Sequence, residues 1–162
     1  MSILEAVKAM SDERFLSIYE ALGEQGFGPL DGDVARAMKF RPHAIRKLPM
    51  EKRAKKARAI ILAGGRTELA YELCGGYLLR SHEGLMPAFL DATGVPHEDG
   101  MIEDTNESKP DEAKLEEAVT GLDAEYPAED VTLYLCICAM QWPDVPKLAE
   151  LYAERSGIAA AE

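Results

Sequence analysis

Apolar positions recur along this 162-residue chain with a helical period nearly throughout. Phe15, Ile18, Tyr19 and Leu22 fall at i, i+3, i+4 and i+7, one side of a helix that Ser11 opens and Gly26 ends. Ahead of it, Ser2 with Glu5 three residues on reads as a capping box. Beyond the turn region Gly26 to Gly32, Leu30, Val34 and Met38 repeat every four residues until Arg41-Pro42 biases the chain away from helix. Pro49 suits the first position of a helix over about 49–63, which turns Ala54, Ala57 and Ile61 to one side and Lys52, Lys55 and Lys56 to the other. Arg53 and Arg58 flank that cationic face, and the buried side is thin.

Thr67 can cap the following helix, whose stripe Leu69, Ala70, Leu73, Cys74, Tyr77 and Leu78 is interrupted by Gly75-Gly76. Because each internal glycine costs about 1 kcal/mol relative to alanine, the pair predicts a kink or the close approach of another helix backbone. Leu85 to Thr93 is a short helix stopped by Gly94. Asp99-Gly100 is a turn signal, and Glu103 to Pro110 reads as a solvated loop. Leu115, Ala118, Val119 and Leu122 then supply another helical face.

The run Val131 to Met140 is rich enough in β-branched and aromatic residues to be a buried strand. We read it as helix starting near Pro127, because Glu129 and Asp130 sit where first-turn acids belong and a strand without a partner would leave its backbone groups unpaired. Trp142-Pro143 ends it, Asp144 can cap, and Leu148, Leu151 and Tyr152 form a last helix before Gly157.

These elements predict an all-α single-domain bundle of seven or eight helices over residues 1–157, with 158–162 as a frayed tail. Setting Ala70 to Gly94 over Leu133 to Gly157 pairs Tyr71 with Tyr134, Leu85 with Leu148, Phe89 with Tyr152 and Gly94 with Gly157. That echo would make two similar helix hairpins with a grooved surface, a common basis for protein binding.

Charge sharpens the picture. Between Lys39 and Arg58 nine Lys or Arg face the single acid Glu51, half of all the cations of a chain with net charge −11. From Glu98 to Asp130 thirteen acids face only Lys109 and Lys114. Cations gathered on an acidic protein point to an anionic counterpart. Three cysteines, Cys74, Cys136 and Cys138, stand in apolar surroundings at spacings that suit neither a disulfide framework nor a zinc site, so a reducing, cytoplasmic setting is expected. The N-terminus carries Glu5, Asp12 and Glu13 and no basic segment followed by an apolar run, so no signal peptide is expected. The longest apolar run is too short to span a bilayer, so no membrane partner is expected.

Candidate chemistry is sparse, and no catalytic residue or cofactor is assigned. The binding surface we expect is the basic face Arg46, Lys47, Lys52, Arg53, Lys55, Lys56 and Arg58, with His43 a surface or anion-facing residue beside it. Gly65, Arg66 and Thr67 could hold an anion through backbone amides at a helix start. His97, with Asp99 and Glu103, is the cluster offering metal-ligand types, although it lacks an HExxH or EF-hand spacing. The alternative use of His97 and Asp99 is to brace a turn. There is no GxSxG motif, and the cysteines lie on faces expected to be buried.

A non-enzymatic binding or assembly protein is therefore expected, meeting an acidic protein partner, or its own segment 98–130, through the basic helix and a helix-hairpin groove. Two other classes stay open: a nucleic-acid accessory protein using stretch 39–58 on phosphates, and an enzyme with a metal or anion site near His97. The basic stretch holds one aromatic, Phe40, and no helix-turn-helix, zinc-finger or RNA-recognition signature.

Overall fold

In the computed structural model, which describes residues 2–22, 28–39 and 41–157 (Pro29, Pro42 and His43 by backbone alone), the local signals become helix ends. Helix α1 (Ile3–Ala9) opens on the capping box: Glu5 N–H donates to Ser2 Oγ at 3.4 Å and Ser2 N–H to Glu5 Oε2 at 2.8 Å. Ser11 caps α2 (Asp12–Glu20) by accepting from Arg14 N–H at 3.1 Å. Then follow α3 (Gly28–Ala37), a 3-10 turn at Pro42–Lys47, α4 (Met50–Ala63) and α5 (Thr67–Ser81). After these come α6 (Leu85–Thr93), a 3-10 turn at Glu112–Lys114, α7 (Leu115–Glu125), α8 (Ala128–Gln141) and α9 (Pro146–Ser156). The described residues contain no strand, so the fold is all-α, with nine α-helices rather than seven or eight. The expected stop at Gly26, Phe40, and the frayed tail 158–162 lie outside the described residues.

Residues Ser2–Arg80 and Ser81–Glu162 each form a compact unit. In the first, α1, α2 and α3 all pack on α4. Ala54 and Ala57 are the reason three helices can share one: small side chains on the buried face leave room for Ile3, Val7, Phe15, Ile18, Leu30 and Val34, all buried. Gly75-Gly76 makes no close contact with another helix backbone and does not interrupt the helix. Helix α5 runs unbroken, a Cβ at Gly75 would meet nothing within 4 Å, and one at Gly76 would reach Leu22 at an ordinary 3.5 Å.

In the second unit α7 packs on α6 and α8, and α8 on α9. Residues 130–139 of α8 are buried except Thr132, the mark of a helix with apolar neighbours on every side. The segment that β-propensity left ambiguous is thus helical, with Pro127 as its N-cap. Phe89 of α6 meets Tyr134 edge-on at 5.2 Å. Asp144 does not cap α9; Val145 does, and Asp144 pairs with Lys109. Glu98-Asp99-Gly100-Met101 closes a two-residue reverse turn with reciprocal backbone bonds of 2.8 and 2.9 Å, Asp99 and Gly100 both having positive φ.

Candidate functional site

The basic face divides into two classes once α4 is folded. Its first turn is pinned by Lys52 and Arg53 amides donating to the Pro49 carbonyl, which turns Arg53, Ala54, Ala57 and Ile61 inward. Arg53 is 1% exposed. Its guanidinium lies 3.7 Å from Asp31 of α3 and 6.0 Å from the centre of the Tyr19 ring of α2. Tyr19 hydroxyl in turn donates to Asp31 Oδ1 at 2.9 Å. Burial, and then the Asp31 charge, push the Tyr19 hydroxyl well above the usual tyrosine range.

Arg58 is the second inward cation. It donates to the carbonyls of Val7 at 2.9 Å, Lys8 at 3.3 Å and Met10, and pairs with Asp12 at 2.8 Å while lying over the Phe15 ring. Those carbonyls close the last turn of α1, where a helix lacks internal donors and favours a positive charge. Arg53 and Arg58, expected on the binding face, are placed inside the unit and tie α1, α2 and α3 to α4.

Arg46, Lys47, Lys52 and Lys55 are exposed and Lys56 is half-buried. Among the described residues none of these five has an ion-pair partner. They spread over the 3-10 turn and the outer side of α4, with exposed Lys39 and Arg41 just ahead. The side chain of His43 lies outside the described residues.

The loop Gly65, Arg66 and Thr67 spends its amides internally. Gly65 N–H donates to Leu62, Arg66 N–H to Ile61 and Thr67 N–H to Gly65, while the Arg66 side chain pairs with Asp33 at 3.1 Å. Gly65 has φ +58, so its glycine serves the helix stop. Thr67 begins α5 rather than capping it.

His97 braces the reverse turn. Gly100 N–H donates to Nδ1 at 3.0 Å, which assigns the ring proton to Nε2, 2.7 Å from Asp91 Oδ1. Neither ring nitrogen keeps a lone pair for a metal, and the described residues contain no group of three or more His, Cys, Asp or Glu that could hold one. Asp99 supplies the turn's positive φ, and Glu103 is exposed.

One pairing was invisible in the sequence. His82 Nε2 meets Asp130 Oδ2 at 2.6 Å, with Asp130 2% exposed and the imidazole edge-on to Tyr126 at 5.3 Å. The partners are 48 positions apart, and Asp130 reads from sequence as an ordinary first-turn acid. A carboxylate holding an imidazole is the orienting half of a catalytic triad, but it supplies no nucleophile. The buried Cys138 thiol, pushed far up by burial, stays protonated and inert.

Comparison of the chain with family models, with curated proteins and with solved structures finds no match, so the reading of function rests on the arrangement above.

Proposed function

We propose that this chain is a non-enzymatic binding or assembly protein that recognises an acidic protein surface through Arg46, Lys47, Lys52, Lys55 and Lys56. One observation carries the reading: these five cations lack ion-pair partners among the described residues of a chain with 29 acids, while Arg53, Arg58 and Arg66 are all paired. Unpaired cations on a 3-10 turn and the helix that follows it give electrostatic steering and register to an encounter with a carboxylate-rich partner. The rigidity of α4, clamped by Arg53 and Arg58, lowers the ordering cost of that encounter.

The helix-hairpin part of the reading is supported by local form. Helix α8 packs on α9 as a hairpin, and α6 and α9 end at Gly94 and Gly157, each glycine in the left-handed region with φ of 76° and 69°. We take the α8–α9 hairpin as the one whose groove adds dry contact. A reducing, cytoplasmic setting fits the buried free thiols Cys74, Cys136 and Cys138. Among the described residues no helix is long and apolar enough to cross a membrane.

The test is fluorescence anisotropy of a labelled Glu-rich helical peptide and of a labelled DNA duplex, across a salt series. Wild type is set beside the Lys52→Glu, Lys55→Glu, Lys56→Glu variant. The reading expects the peptide to bind wild type with a defined stoichiometry and to be lost in the variant. Tighter, salt-steep binding of the duplex by wild type would transfer the same cations to nucleic acid.

A further inference from the structure

We propose that the acidic surface met by α4 is a second copy of this chain, and that the exposed face of α4 in one copy docks in the groove between α6 and α7 of the next. This rests on the basic-face reading above and gives it a partner. The groove, about 550 Å³, is lined mainly by small residues, Ala88 and Ala92 from α6 and Ala118 and Gly121 from α7, together with Leu122 and with exposed Glu117 and Glu125 on its rim. Such a lining lets a helix approach closely only if that helix is also small on its contact side.

The rim carboxylates are unsatisfied for an identifiable reason. Residues 81–162 hold four cations, Lys109, Lys114, Lys147 and Arg155, against nineteen acids. Three of the four are used elsewhere: Lys109 on Asp144, Lys147 on Glu116 and Arg155 on Asp123. Helix α7 therefore has one acidic side neutralised by α9, through Glu116 and Asp123. Glu117 and Glu125 have no ion-pair partner among the described residues, and Lys114 stands at the start of the groove.

Helix α4 carries the complement. Lys52, Lys55 and Lys56 on its outer side are followed at helical spacing by Ala59 and Ala63, both exposed. Its solvent face thus carries three lysines beside the single acid Glu51 in the first half and small residues in the second. Laid antiparallel to α7, it brings the lysines to the Glu125 end and the alanines over Ala118, and leaves Lys114 near the C-terminus of α4, where the helix dipole favours a cation. Glu117 and Glu125 are eight residues apart, about 12 Å along the axis, a span that Lys52 to Lys56 and their long side chains can bridge. The contact joins unlike faces, so copies pair reciprocally or add head to tail.

Light scattering on the full chain over rising protein concentration, at low and high salt, tests this. The expected result is a mass of at least two chains at low salt that falls toward one chain as salt rises. The Lys52→Glu, Lys55→Glu, Lys56→Glu variant and a Glu117→Lys, Glu125→Lys variant should each stay monomeric with wild-type circular dichroism. Their equimolar mixture should form a 1:1 complex, because one intact face remains on each. Wild type that stays monomeric at every concentration, or a mixture that does not associate, overturns the proposal. If that happens while the Glu-rich peptide still requires Lys52, Lys55 and Lys56, the basic-face reading stands and self-recognition falls; if the peptide does not require them, both fall.

Discussion

Arg58 and Lys55 stand three positions apart on α4 and do opposite things. Arg58 closes the C-terminal turn of α1 with three carbonyl contacts and an ion pair, so Arg58→Ala should cost about 2 to 4 kcal/mol in urea unfolding. Lys55→Ala should stay within about 0.5 kcal/mol, as an exposed substitution with no partner. Tyr19 makes a second prediction at this level. Its hydroxyl pKa is raised in the folded protein by burial and Asp31, so the protein holds that proton more tightly than the unfolded chain does. The corresponding stability is fully present below the unfolded tyrosine value of about 10 and is lost as pH rises above it, with a slope of at most about 1.4 kcal/mol per pH unit. Unfolding measured from pH 8 to 11 should show this fall in wild type and a shallower one in Tyr19→Phe; identical profiles would contradict it. Neither role could be read from the sequence. Position on a helical wheel places Arg53 and Arg58 at the edge of a polar face, but only the packing of three helices on α4 draws the guanidiniums inward and supplies Asp31, Tyr19 and the α1 carbonyls as partners.

Helices were more legible than side-chain roles, because caps and periodicity are local. The Ser2 capping box, the Pro49 start, and the glycine stops at Gly94 and Gly157 all act within a turn of the residues that signal them. Val131 to Met140 needed one non-local argument, the lack of any partner strand, and α8 is helical as that argument requires. The 3-10 turn at Pro42–Lys47 was not anticipated, since Arg41-Pro42 read only as a break. Gly75-Gly76 misled for a physical reason: glycine inside a helix costs free energy whether or not a neighbour requires it. With open space at its Cβ, Gly75→Ala should stabilise the protein by about 0.5 to 1 kcal/mol in thermal or urea unfolding. A loss of stability would restore the expectation of close approach. The His82–Asp130 pair fixes the residue after α5 to the first turn of α8, so Asp130→Ala should cost about 2 kcal/mol or more. His82→Ala combined with it should be clearly less than additive, as expected for groups in direct contact.

Across the chain, charge is distributed by unit. Residues 1–80 carry fourteen of the eighteen cations and ten of the 29 acids, so the N-terminal part is net positive and the C-terminal part strongly negative. The sequence displays that division directly. What it conceals is which charges are already spent. Nine cations between Lys39 and Arg58 suggested one broad basic face, and the fold removes Arg53 and Arg58 from it while leaving Arg46, Lys47, Lys52, Lys55 and Lys56 outward. The measurement that bears most directly on this division is a paired one on the Lys52→Glu, Lys55→Glu, Lys56→Glu variant: its unfolding free energy in urea beside its affinity for the Glu-rich helical peptide. A recognition surface predicts stability within about 1 kcal/mol of wild type and affinity lower by at least about a hundredfold. Unchanged affinity, or a loss of stability large enough to unfold the protein, would show that these lysines serve solvation or the fold rather than a partner.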